Sequence, residues 1–169
     1  MAQQQLTVAE LEKRMAAGEQ PAHILGMTET QIKAIIALGY NRYQQGKLDG
    51  ANVMFRGATA IDPTNYLGYA GAGAVALARK PADLEAAYAN LSKAAELKPD
   101  DASIQANLGE VLLRQGKVME AKEHLEKAFQ LDPERKDPGV NRARALVTGI
   151  DAVIKEAERR KEEQLAKAS

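Results

Sequence analysis

The chain has 169 residues, with 23 basic and 23 acidic side chains, no cysteine and no tryptophan. This length allows one domain with a substantial hydrophobic core. Balanced charge provides no overall field that would attract nucleic acid or an anionic membrane surface. Without cysteine there is no disulfide framework and no thiolate metal site, which fits a reducing cytoplasm.

The charged N-terminus lacks the apolar core of a signal peptide, and no apolar run reaches the roughly 18 residues of a membrane helix. We therefore expect a soluble, cytoplasmic protein.

The first predicted element is an amphipathic helix that opens with a T-x-x-E capping box and ends near Gly18. Leu6 and Leu11 have the spacing of a hydrophobic staple, and Leu11 and Met15 share one helical face. We predict that residues 1–27 form an N-terminal helical extension followed by a linker. Two interpretations are open, a frayed chain end or a docking helix that dimerises through Leu6, Leu11 and Met15.

Three copies of one helix–turn–helix pattern follow, at 35–63, 66–99 and 104–133, and each copy ends at a proline. The three prolines are separated by 36 and 34 residues. A period of about 34 residues is typical of tetratricopeptide repeats, which stack side by side. We predict an all-α fold in which three such repeats, within 28–137, stack as a right-handed helical solenoid. A C-terminal capping helix with a charged tail is predicted at 138–169.

Small residues recur at fixed positions of the repeat and predict close packing between its two helices. Large side chains, Leu38 and Phe55 among them, are expected to fill the remaining core, and Gly46 and Gly116 to form left-handed turns. The small positions are Gly39, Gly73 and Gly109 in the first helices, and Ala51, Ala58, Ala87, Ala94, Ala121 and Ala128 in the second helices.

The middle repeat departs from this pattern. Its turn has no glycine, and Pro81 and Asp83 are expected to mark the start of its second helix. Its first helix contains Gly68, Gly71 and Gly73, although glycine costs about 1 kcal/mol relative to alanine inside a helix. Two explanations are open, close helix packing or a floor on which the backbone of a ligand can lie.

No constellation of residues predicts chemistry. The two histidines, His23 and His124, are about a hundred residues apart, and His124 is expected at the surface. The glycine-rich segment GYAGAG has neither a preceding strand nor the Gly-Lys-Ser/Thr ending of a phosphate loop. We expect no enzymatic activity, no metal and no cofactor.

The first helices of stacked repeats line a concave surface, at the second, fifth, ninth and twelfth positions of each repeat. This surface is mostly apolar and lacks a Lys/Arg clamp for a C-terminal carboxylate, so it favours an extended apolar segment of a client protein. The alternative for its two tyrosines is burial within the stack. The predicted groove consists of Ile36, Tyr40, Tyr43, Leu67, Ala70, Ala74, Leu77, Ala106, Glu110 and Leu113.

The segments LGYNRYQQGKLDGA, GAGA at 71–74 and EVLLRQGKVMEA resemble the class II chaperones of type III secretion translocators. The resemblance extends over roughly 28–154. It implies a cytoplasmic chaperone that holds hydrophobic translocator subunits in its groove, with an N-terminal helix that mediates a homodimer. By position, the client groove would include Tyr40, Tyr43, Leu67, Ala70, Ala74 and Leu77. The alternative function is a general tetratricopeptide scaffold for another complex, and neither nucleic acid nor membrane is expected as a partner.

Overall fold

The structure is a computed structural model that describes residues 6–167 and most of their side chains. Within that range the fold is all-α and contains no β-strand, which confirms the predicted class. The chain divides into two compact units, Met1–Pro99 and Asp100–Ser169. The helices are α1 (Val8–Ala16), α2 (Pro21–Ile24), α3 (Glu29–Gln44), α4 (Leu48–Ile61), α5 (Tyr66–Ala78), α6 (Leu84–Leu97), α7 (Ala102–Arg114), α8 (Val118–Leu131) and α9 (Pro138–Lys167).

Local sequence signals set most of the helix ends. Thr28 and the Gln31 side chain form a complete capping box at the start of α3. Asp83 caps α6, since its carboxylate accepts a hydrogen bond of 3.0 Å from the backbone amide of Ala86. Gly46 and Gly116 have φ of 71° and 77°, so both turns use the left-handed conformation that favours glycine.

The N-terminal segment contains one helix that the sequence did not indicate. The short helix α2 lies within the segment expected to be a linker, and its Pro21 and Ile24 are buried. By contrast, none of the residues of α1 is buried. The division into three parts at residues 27 and 137 remains a prediction.

The core of the first unit is built around α4, which packs against both α3 and α5. Phe55 of α4 is fully buried, and Ala51 and Ala58 lie on the same face, as expected for a helix that approaches its neighbours closely. Leu38 does not belong to this core, because 45% of it is exposed. The expectation for Leu38 was wrong, since the core cluster around Phe55 takes its α3 residues from the face of Ile32 and Ile36.

The glycines of the first helices are the places where large side chains of the second helices pack. A methyl group at Gly39 would lie 2.8 Å from Cε1 of Phe55, and one at Gly71 would lie closer still. The Phe55 ring therefore packs against a glycine of α3 and a glycine of α5. Gly73 bears the same relation to Leu91, because a methyl group added there would lie 2.6 Å from its Cγ. Close packing thus explains these glycines.

The second unit repeats this arrangement and adds α9. A methyl group at Gly109 of α7 would lie 2.6 Å from Cγ of Leu125 on α8. Ala121 and Ala128, on the same side of α8, are fully buried. Helix α9 packs against both α7 and α8, and its Val140 and Ala143 are buried. This contact agrees with the role of a capping helix.

Replacing Gly71 with alanine should destabilise the protein, because the new methyl group would overlap the buried Phe55 ring. We expect Gly71→Ala to lower the free energy of unfolding by about 1–3 kcal/mol. The matched control is Gly57→Ala on α4, where no atom lies within 4 Å of the added methyl. That variant should gain up to about 1 kcal/mol from helix propensity. Urea denaturation of both variants tests this, and a Gly71→Ala variant as stable as the wild type would contradict it.

Candidate peptide-binding site

The two predicted groove tyrosines are half-buried on α3. Tyr40 meets Phe55 edge to face, with 4.9 Å between ring centroids and 71° between ring planes. Tyr43, one turn further along, packs against the same core cluster. Each ring therefore rests on the core with one part and leaves another part accessible. This arrangement lies between the two expectations, an open groove wall and complete burial.

The other predicted groove positions of the first unit differ in depth. Ile36 and Leu77 are buried, with 4% and 7% of each residue exposed. Leu67 is half-buried against the core cluster, and Ala70 and Ala74 are half-buried one turn apart on α5. Because α3 and α5 are in contact, the tyrosines and these small residues belong to neighbouring helices. The predicted groove residues of this unit that remain partly accessible are thus two tyrosines, a leucine and two alanines.

A polar pocket of about 570 Å³ lies at the turns of the first unit, where the α3–α4 turn meets the α5–α6 turn. Arg79 donates a hydrogen bond of 2.7 Å to the carboxylate of Asp49, which links the two turns. The irregular turn of the middle repeat therefore has a structural partner in the repeat before it.

In the second unit, α9 covers the predicted groove positions of α7. Ala106 is 1% exposed, and Glu110 is 3% exposed. The Glu110 carboxylate accepts hydrogen bonds from Nη2 of Arg114 at 2.6 Å and from Nε of Arg142 on α9 at 3.0 Å. Arg142 also donates to Oδ1 of Asn107 at 2.9 Å. A buried carboxylate requires such partners, so the Glu110 of this structure helps to hold α9.

Sequence reasoning missed Arg142. The available signal was the acidic side chain at position 110 within an otherwise apolar set, because a carboxylate near a core needs a cation. The sequence offers many arginines, however, and does not say which one supplies that cation.

Leu113, the last predicted groove residue, lines an apolar cavity of about 470 Å³ that we call the α8–α9 cavity. Its apolar lining consists of Leu113, Val118, Leu125, Phe129, Val147 and Ile150. Lys122, Glu126 and Asp151 complete the lining.

The connection between α8 and α9 is fixed by buried polar contacts. Asp132 is 8% exposed and accepts hydrogen bonds from the amides of Lys136 and Asp137 at 2.9 and 3.1 Å. Arg144 of α9 donates to the carbonyl oxygens of Phe129 and Asp132 at 3.1 and 2.8 Å. The Arg144 guanidinium also lies 4.4 Å from the centroid of the Phe129 ring, a cation–π contact. The first turns of α9 are therefore firmly attached to α8.

His124 is half-buried on α8, which corrects its expected place at the surface. Its Nδ1 lies 2.7 Å from Oε1 of the buried Gln105 on α7, a separation at which an Nδ1–H donates to the amide oxygen. Burial lowers the pKa of His124 below its ordinary value, and the nearby Lys127 lowers it further while Glu123 opposes the shift.

The described residues include no helix long and apolar enough to cross a membrane. Over the same part of the chain, no group of three or more His, Cys, Asp or Glu side chains is placed to hold a metal ion.

Two family models match the second half of the sequence. A model described as TPR repeat matches residues 83–116, and one described as tetratricopeptide repeat matches residues 102–135. The second match coincides with the third predicted repeat. Residues 83–135 carry tetratricopeptide repeats.

Among curated proteins, the chain is 32% identical over 102 residues to DnaJ homolog subfamily C member 3 of Bos taurus. The match covers 60% of this chain and 20% of the relative. The chain thus spans about a fifth of the length of this relative.

Solved structures with the same fold include type III secretion chaperones. The translocator chaperone SycD of Yersinia enterocolitica has a TM-score of 0.64 and 21% identity, over 78% of this chain and 98% of SycD. PcrH in complex with the chaperone binding region of PopD has a TM-score of 0.64 and 24% identity, over 75% of this chain and 96% of PcrH. The fold implied by the sequence resemblance is confirmed. The repeats of this chain have the fold of the translocator chaperones.

Acidification should destabilise the protein through His124. Because its folded-state pKa is lowered, its contribution is present above the unfolded value near 6.5 and is lost as the pH falls below it. We expect the free energy of unfolding to decrease between about pH 7.5 and pH 5.5, and His124→Gln to reduce that decrease. Urea denaturation at both pH values measures it, with His23→Gln on the exposed side of α2 as control. An unchanged pH dependence in His124→Gln would contradict this assignment.

Proposed function

We propose that this protein is a non-enzymatic chaperone that holds hydrophobic type III secretion translocator subunits in the cytoplasm. The observation that carries the proposal is the half-buried apolar surface of α3 and α5, in a fold shared with translocator chaperones. The client would lie along this surface as an extended apolar segment.

The chemistry of the surface suits such a client. Tyr40 and Tyr43 offer broad apolar contact with a polar group at the ring edge. Ala70 and Ala74 leave room for the client backbone to approach α5 closely. Each 100 Å² of apolar client surface buried here would contribute roughly 2.5 kcal/mol before the cost of ordering the segment is subtracted. Covering that surface would prevent clients from associating with one another.

The solved complex of PcrH with the chaperone binding region of PopD supports the proposal that this fold binds a protein segment, because PcrH has the fold of this chain. At 24% identity the likeness concerns the fold, so the client class is our inference from the surface and from the sequence resemblance. The homodimer that the resemblance implies, through Leu6, Leu11 and Met15, is part of the same proposal.

A tetratricopeptide scaffold for another complex is the second candidate. The observation in its favour is the match to DnaJ homolog subfamily C member 3, whose identity of 32% exceeds that of the two chaperone structures. Both candidates bind protein segments, and they differ in the partner. Co-expression with a translocator from the same organism separates them, because only the chaperone keeps that translocator soluble and copurifies with it.

An acidic side chain in the middle of the surface should weaken client binding. We expect Ala74→Glu to reduce affinity for a fluorescently labelled chaperone-binding segment of the translocator at least tenfold, because the carboxylate would be buried against apolar client atoms. The matched control is Val53→Glu on α4 of the same unit, where 62% of the valine is exposed. Fluorescence anisotropy measures both affinities, and circular dichroism confirms folding.

Unchanged affinity in a folded Ala74→Glu variant would contradict the groove assignment. No binding of the segment to the wild-type chain, together with an insoluble co-expressed translocator, would contradict the chaperone function itself.

A further inference from the structure

The polar pocket between the two turns of the first unit, which we call the turn pocket, carries an excess of positive charge. Residues 46–50 and 79–81 line its volume of about 570 Å³. They include three cations, Lys47, Arg79 and Lys80, and one acidic residue, Asp49. Because the whole chain has 23 basic and 23 acidic residues, this excess is a local feature and not a general property of the surface.

A fourth cation, Arg42 of α3, lies next to the turn pocket. Its Cδ and Nη1 atoms are 3.2 Å from the position that a Cβ atom would take at Gly50, one of the lining residues. The Nε of Arg42 is buried without a hydrogen-bond partner, and no described residue forms an ion pair with its guanidinium. A cation that is partly removed from water and lacks a partner adds to the positive potential of the pocket.

The two lysines of the pocket are available to a ligand. Lys47 and Lys80 are exposed, and neither forms an ion pair in the part of the chain that the structure describes. Lys47 precedes α4 and provides no side-chain hydrogen bond to the start of that helix. The dipole of α4 therefore adds to the attraction that the two ammonium groups exert on a negative group.

The contact between Arg79 and Asp49 indicates which kind of anion the pocket accommodates. Nη2 of Arg79 donates a hydrogen bond of 2.7 Å to Oδ1 of Asp49, so a carboxylate already lies against this guanidinium. The Asp49 side chain is 91% exposed, and water therefore screens the pair, which contributes little to stability. A carboxylate of another molecule can share Arg79 or replace Asp49 at little cost.

The lining of the turn pocket favours an acidic protein segment over a nucleic acid. None of the lining residues is aromatic, so unpaired bases would have no ring on which to stack. The cations belong to two different turns, since Lys47 follows α3 and Lys80 follows α5. A segment with several carboxylates can pair with both turns at once, whereas a small free anion makes fewer of these contacts.

We propose that the turn pocket binds an acidic segment of a partner protein, whose carboxylates pair with Lys47, Arg79 and Lys80. Binding of this kind depends on charge, so it weakens when salt screens the pairs. The pocket shares no residue with the half-buried apolar surface of α3 and α5. The proposal therefore does not depend on the chaperone function.

The binding of a model acidic peptide to the full chain gives the first test. The probe is fluorescently labelled hexaglutamate, and hexaglutamine with the same label is its control. We expect fluorescence anisotropy to show that hexaglutamate binds about tenfold more tightly than hexaglutamine in dilute salt, and that about 0.5 M salt removes the difference. A wild-type chain that binds the two peptides equally in dilute salt would overturn the proposal.

Charge variants assign the binding to the turn pocket. We expect the double variant Lys47→Gln, Lys80→Gln to bind hexaglutamate about tenfold more weakly, and Asp49→Asn to bind it about threefold more tightly because a competing carboxylate is removed. The matched control is the double variant Arg56→Gln, Lys93→Gln, which removes the same charge from exposed positions of α4 and α6. Circular dichroism confirms that each variant is folded.

Several results would overturn the proposal. Unchanged affinity in the Lys47→Gln, Lys80→Gln variant, or an equal loss in the control variant, would show that hexaglutamate does not bind in the turn pocket. Weaker binding by Asp49→Asn would show that Asp49 does not compete with the ligand. Displacement of hexaglutamate by an equal concentration of inorganic phosphate would assign the pocket to a small free anion, and tighter binding of a single-stranded oligonucleotide would assign it to nucleic acid.

Discussion

The structure depends on one repeated contact, in which a large side chain of the second helix packs on a glycine of the first. Phe55, Leu91 and Leu125 occupy this position in the three repeats. The contact brings two backbones so close that one side chain must be absent, and the buried alanines of the second helices allow the same approach along their length. In the first unit Phe55 makes this contact in two repeats, because its ring packs against a glycine of α3 and a glycine of α5.

This packing also determines the candidate binding surface. The Tyr40 and Phe55 rings pack edge to face, so the core side chain that joins α3 to α5 also supports a tyrosine of the candidate surface. In the second unit the attachment of α9 adds polar contacts to the apolar ones of Val140 and Ala143, through the buried carboxylates of Glu110 and Asp132 and their arginine and amide donors. Paired and hydrogen-bonded carboxylates specify one position for a helix, whereas an apolar face permits sliding.

The sequence predicted the helices other than α2 because their signals are local: the prolines, the turn glycines and the capping residues each act within a few positions. The sequence also predicted which small residues are buried, since their period is that of the repeat.

The prediction of burial was wrong where burial depends on a neighbour distant in sequence. Leu38 has the spacing of a core residue but lies outside the core cluster, and His124 is half-buried with its Nδ1 within hydrogen-bond distance of Gln105 on another helix. For the candidate site, the sequence predicted which face of each helix carries the groove residues. It did not predict that Ile36 is buried and Tyr40 is half-buried on that face, because burial follows from packing.

The chain has only two phenylalanines, Phe55 and Phe129, and each unit contains one of them. Phe55 is sealed within the first unit, whereas Phe129 lies beneath the Arg144 guanidinium in the second. Biosynthetic incorporation of fluorophenylalanine would therefore yield two ¹⁹F resonances, one from each unit. The ring beneath a cation and the ring between two glycines experience different electric fields, so the two signals should be distinct. A single spectrum could then follow events in each unit separately, without any engineered label.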